Sequence, residues 1–211
     1  LGVQQQEQQV LQKGIDHVYR VVEVASTQPQ RLTQAAQSLM RAGEAEEAFA
    51  LMQQAFNYGP WDIELYPIYM EIAYEVGEER LNSGENKTAT DAWKAGLQAY
   101  ERIEPMRASM NNLPETLYKG RAFAETEEMK LLAGKLSYRL GQYQEAFDRL
   151  SSLYESKNED IRRQAMLWSI AAQLKTGVSL EQTMGYDQFV QNPDWGDELR
   201  YILMLDIVEG T

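Results

Sequence analysis

Residues 31–60 read RLTQAAQSLMRAGEAEEAFALMQQAFNYGP, and the order of small, large and punctuating residues in this stretch decides the fold. Apolar side chains recur at helical spacing on both sides of Gly43, which suits the C-terminal cap of one helix and the turn into a second. Ala36 is the small position of the first helix, with the larger Leu39 following it. Ala48 and Ala55 are the small positions of the second helix, and Pro60 closes the stretch. Small side chains at these places let two helices approach closely, while Leu39 and Met52 fill the space between successive pairs. The stretch predicts a helix hairpin built to stack on another.

Working outward, residues 132–156 read LAGKLSYRLGQYQEAFDRLSSLYES and repeat the order with Gly134, Gly141, Tyr143, Ala146, Leu150 and Leu153. Two further stretches are less regular. The one at 61–105 keeps Ala92, Ala99 and Pro105, but its first helix runs on past Gly77. The one from 159 keeps Ala171 and Gly177, with Gln182 where a small residue is expected. Glycine-bearing turns fall at 41–43, 83–86, 140–143 and 175–177, and no stretch alternates strictly enough to be a strand. Helices are expected at 4–25, 29–42, 44–58, 62–82, 87–109, 121–140, 143–156, 159–175, 179–191 and 195–208, about ten in all. Asn111, Asn112 and Pro114 place a loop and any hinge at 106–122.

Residues 31–60 and 132–156 resemble the tetratricopeptide repeat, a unit of roughly 34 residues that forms two antiparallel helices. The GQYQEA run at 141–146 is similar to that family's most recognisable turn. The resemblance implies an all-α solenoid of antiparallel helix pairs, a single domain over 1–211. Its parts would be an N-terminal helix at 1–28, units at 29–60, 61–105, 121–158 and 159–194, and a C-terminal capping helix at 195–211. It also implies a non-catalytic protein-interaction scaffold that holds a peptide or helix of a partner on the concave face, lined by the first helix of each unit. Carried onto this sequence, the lining residues are Gln37, Met40 and Arg41, then Glu71, Tyr74 and Glu75, then Lys135, Tyr138 and Arg139. Thr33, Leu131 and, from the fourth unit, Leu167, Ala171 and Lys175 are further lining candidates. This set lacks the clustered lysines and arginines that would clamp a peptide's terminal carboxylate. A double charge reversal at Lys135 and Arg139 is expected to weaken partner binding without unfolding the domain.

Composition narrows the function from another side. The chain has 211 residues, with 32 acidic and 20 basic side chains and a net charge of −12, which argues against a grip on nucleic-acid phosphates. It has no cysteine and one histidine, His17, so thiolate sites and most triad or zinc chemistry have too few groups. No glycine-rich phosphate loop is present. Glu78 and Glu79, like Glu127 and Glu128, are adjacent on a helix and point to different sides, so neither pair suits acid–base work. The sequence therefore implies no catalytic residues, no cofactor and no metal. No run of about 18 apolar residues exists, so no membrane insertion by this segment is expected.

A second resemblance concerns 56–84, FNYGPWDIELYPIYMEIAYEVGEERLNSG, together with 97–104 and 111–123. These are similar to the repeat region that follows the membrane helices in O-antigen ligase or polymerase-like bacterial proteins. Pro60, Trp61, Leu113, Pro114 and the run 120–123 carry it. It implies an extracytoplasmic accessory domain in cell-surface polysaccharide assembly, and a chain that begins at Leu1 is expected of a piece of something longer. The compartment, cytoplasmic or extracytoplasmic, stays open. The third reading is a glycan-binding module using Tyr and Trp. Tyr66, Tyr69, Tyr74, Trp93, Tyr100, Tyr138 and Tyr143 recur mostly at helical spacing, which suits a core as well as a platform.

Overall fold

In the computed structural model, which describes residues 13, 28–60, 62, 64–103, 105, 106, 108, 125–192 and 194–204, four helices end in the same way. Gly43, Gly84, Gly141 and Gly177 all take left-handed φ, between 72° and 87°, a conformation that costs glycine nothing. At each, the glycine N–H and the one after it bond back to the carbonyls of the last turn. The bonds to Gly43, for example, run from its own N–H to Met40 at 3.0 Å and from Glu44 to Leu39 at 2.9 Å. Backbone carbonyls that the helix ends would leave bare are thereby satisfied.

Among the described residues the elements are nine α-helices and one 3₁₀ turn, with no strand. The helices are α1 (Pro29–Ala42), α2 (Ala45–Tyr58), α3 (Leu65–Asn82), α4 (Asn86–Glu101), α5 (Glu127–Arg139), α6 (Tyr143–Ser151), α7 (Glu159–Lys175), α8 (Tyr186–Gln191) and α9 (Trp195–Met204). The glycine caps close α1, α3, α5 and α7. Starts are specified too: Pro29 opens α1, the Thr126 hydroxyl accepts the Met129 N–H, and the Asn158 side chain accepts those of Asp160 and Ile161. No helix of the described residues is long and apolar enough to cross a membrane.

From α1 to α7 each helix packs on the next, and α1, α3, α5 and α7 also touch in succession. Successive helices are fitted by a recurring pair. A Cβ on Gly134 would lie 2.5 Å from Leu150, and one on Gly77 would lie 2.0 Å from the Trp93 indole nitrogen. Ala36 and Met52, at the same sequence separation, are both 0% exposed. Close approaches in this pair fall at Gly77 and at Gly96, which faces Ala73 and Leu136, and the expected small positions Ala92 and Ala99 are buried. The cause is Trp93: an indole fits that helix pair only against a residue with no side chain.

α5 joins the two hydrophobic clusters. Its Met129, Ala133 and Leu136 pack with α1–α4, while Leu131 and Tyr138 pack with α6, α7 and α9. Tyr66, Tyr69, Trp93 and Tyr138 are buried, so these four recurrent aromatics are core. Several expected boundaries shift, the helix over 121–140 beginning at Glu127 and the one over 62–82 at Leu65. The helix over 87–109 breaks after Glu101 at Arg102, with 103, 105, 106 and 108 helical again beyond it, and the one over 143–156 stops at Ser151, after which the chain turns so that Ser156 donates to Glu127 at 2.6 Å. The stretch 179–191 breaks at Gly185, φ 103°, into the turn Leu180–Gln182 and α8. The expected helix at 4–25, with His17, lies outside the described residues apart from Lys13. Trp61, the loop at 109–122 with Leu113 and Pro114, the run 120–123 and the end of the capping helix lie outside them too.

Candidate functional site

The first helices carry the residues singled out above, and burial divides them. On α1, Arg41 is exposed while Gln37 and Met40 are half-buried. On α3, Glu71 and Glu75 are exposed, one turn apart, with the half-buried Tyr74 between them. On α5, Lys135 is half-buried, but Tyr138 and Arg139 are interior, 1% and 6% exposed. Thr33, Leu131, Leu167 and Ala171 are buried as well.

Arg139 forms an ion pair with Glu78 of α3 at 2.5 Å, its guanidinium lying over the rings of Trp93 and Trp168 at 5.7 and 5.1 Å. A charge reversal there removes an interior ion pair, which corrects the expectation that reversing Lys135 and Arg139 together leaves the fold intact. Tyr138 packs edge-on against Tyr143 and Trp168, each at 5.3 Å. These two residues support the face from beneath.

Above them, Lys135 Nζ donates to Gln164 of α7 at 2.5 Å and lies 5.7 and 5.5 Å from the rings of Tyr74 and Trp168. Gln164 donates to Asp160 at 2.7 Å, Asp160 accepts from Arg163 at 2.7 Å, and Arg163 also pairs with Glu198 of α9. A polar chain thus runs from α5 across α7 to α9. Asp160, Gln164 and Trp168 follow one another by single helical turns, a signal visible in the sequence, whereas their meeting with Lys135 depends on tertiary packing. Glu78 is equally a product of packing.

Burial sets the electrostatics of this face. It pushes the Glu75 carboxyl above its usual range, helped by the neighbouring Glu71 and opposed by Lys135. Burial also raises Glu78, more than the Arg139 charge lowers it. Lys135 is held below the usual lysine range by burial, with Glu75, Glu78, Asp160 and Glu198 acting in the opposite sense. The Tyr74 hydroxyl is shifted upward by burial and then by Glu78. Asp160 is lowered by its hydrogen bonds from Arg163 and Gln164.

What results is an acidic, aromatic-backed strip with one half-exposed lysine, suited to hydrogen bonding and charge pairing with a partner. Among the described residues no group of His, Cys, Asp or Glu is gathered so that it could hold a metal ion. The chain matches no known protein-family model and no curated protein.

Proposed function

We propose that this chain is a non-catalytic interaction scaffold, an array of antiparallel helix pairs of tetratricopeptide type that holds a peptide or helix of a partner protein along its first-helix face. The observation that carries this reading is the repeated hairpin device. A left-handed glycine ends α1, α3, α5 and α7; seven residues before two of these glycines, Gly77 and Gly134 receive Trp93 and Leu150 of the following helix, and Ala36, at the same place before Gly43, is fully buried, as is Met52. Stacked pairs of this kind expose one side of successive first helices as a continuous strip. Of the first-helix residues, Arg41, Glu71, Tyr74, Glu75 and Lys135 retain exposed surface, while Tyr138 and Arg139 are buried, which supports a role for the exposed set in contact.

The acidic pair Glu71 and Glu75 beside Lys135 favours a partner segment bearing both basic and acidic groups. Affinity capture from native envelope and cytosolic fractions, with the parent chain and a Glu71→Lys/Glu75→Lys variant as baits, tests the proposal. Discrete proteins held by the parent and lost by the folded variant are expected. Enrichment of glycan or of polysaccharide-assembly proteins, equal for both baits, contradicts it.

A further inference from the structure

α2 and α4 each pack against α3, and two cavities open between them. The larger, of about 260 Å³, has as its floor the stacked pair Phe56 and Tyr69, with ring centroids 5.0 Å apart. Its rim carries the side-chain amides of Gln53, Asn57 and Gln98, all exposed, and the exposed guanidinium of Arg102, poised 5.8 Å over the Phe56 ring. Ala95 and Ala99 keep the α4 wall low.

From this arrangement we propose a second docking site, for a partner-protein segment that carries an apolar side chain next to an aspartate or glutamate. The proposal goes beyond the scaffold reading and does not require the first-helix face.

Size, charge and polarity each restrict the occupant. The cavity is smaller than the roughly 300 Å³ at which small-molecule and cofactor sites begin, so it suits one anchoring side chain of a larger molecule. Among the described residues no carboxylate lines it and Arg102 makes no ion pair, in a chain with 32 acids. The neighbouring cavity of about 220 Å³, which shares Gln53, differs in this respect. Its Arg80 is already clamped by Glu46 at 2.6 Å through two nitrogens, with Asp91 alongside. Of these two cavities, therefore, the Arg102 cavity is the one that offers a carboxylate from outside an unclaimed cation among the described residues, and its planar fork can bind it through two hydrogen bonds. The three amides can donate to and accept from a segment's main chain, and the Phe56–Tyr69 floor offers apolar contact to its neighbouring side chain.

The test is a titration of the full chain, followed by the side-chain amide signals in nuclear magnetic resonance. The probes are an acetylated, amidated hexapeptide Gly-Ser-Leu-Glu-Ser-Gly and its isostere with Gln in place of Glu. Shifts at Gln53, Asn57 and Gln98 are expected with the Glu peptide. Binding should weaken about tenfold or more with the Gln peptide or in Arg102→Gln, and less in Arg102→Lys, while Glu71→Lys/Glu75→Lys leaves it unchanged. Because Arg102 is exposed, Arg102→Gln should unfold at the parent's temperature. Equal binding of both peptides, unchanged binding in Arg102→Gln, or no perturbation of the three amides at millimolar peptide overturns the proposal.

Discussion

The indole nitrogen of Trp93 lies where glycine alone leaves room: a Cβ on Gly77 would come within 2.0 Å of it. α3 and α4 are locked at this point, since Trp93 is 2% exposed and lies beneath the Arg139 guanidinium. Gly77→Ala should therefore destabilise despite the better helix propensity of alanine. Overpacking a rigid ring costs up to about 3 kcal/mol against about 1 kcal/mol of propensity gained, a net loss of about 2 kcal/mol in urea unfolding. Gly134→Ala, against the more adaptable Leu150, should lose less. Gly196→Ala, with nothing within 4 Å of the new carbon, should be neutral or stabilising by up to about 1 kcal/mol.

Arg139 and Glu78 form the most buried ion pair among the described residues, their side chains 2% and 18% exposed. Arg139→Met leaves a mostly buried carboxyl without its counter-charge and should cost about 3 kcal/mol at neutral pH. The double variant Arg139→Met/Glu78→Met should recover most of that loss. The pH dependence follows from the sign of the shift. Glu78 is raised above its usual 4.5 by burial even beside Arg139, and rises further without it. A carboxyl raised on folding contributes stability that is fully present below its unfolded value and is lost as pH climbs through the folded one. Arg139→Met should thus be least destabilised near pH 4.5 and increasingly so toward pH 7, read from urea midpoints across that range.

The Arg80–Glu46 pair behaves in the opposite sense. Arg80 clamps Glu46 at 2.6 Å, donates to the Thr88 carbonyl at 2.9 Å and lies over Phe49 at 5.5 Å, tying α2 to α3 and α4. Its hydrogen bonds hold the Glu46 carboxyl below the usual range. The stability this contributes is present above pH 4.5 and is lost as pH falls through the lowered value. Glu46 is half-exposed, so Arg80→Ala should cost about 1 kcal/mol at pH 7 and less in acid, measured by the same unfolding assay.

Local punctuation made the helix pairs legible from residue order alone. Gly43, Gly84, Gly141 and Gly177 are turn glycines whose role is set within a few residues, and the small positions Ala36, Ala48 and Gly134 were implied by the resemblance to the repeat and are buried. The register of the second hairpin was not legible in this way. Ala92 and Ala99 are buried, as small positions should be, but that Gly77 receives Trp93 shows only in the packing. Burial of Tyr138 and Arg139 was hidden for a related reason. Glu78, which draws Arg139 inward, is 61 residues away in sequence, and nothing local to α5 announces it. Lys135, Glu71 and Glu75 could be placed on first helices by carry-over, but the link to Gln164 arises from how α5 meets α7.

Carbodiimide footprinting of carboxylates, with and without the captured partner, tests the central claim most directly. Glu71 and Glu75 are both exposed on α3, and Glu145 on α6 is an exposed acid away from the first-helix strip. Selective protection of Glu71 and Glu75 in the complex, with Glu145 labelled as in the free chain, is the result this account predicts. A stable complex in which Glu71 and Glu75 label as fast as in the free chain would contradict it.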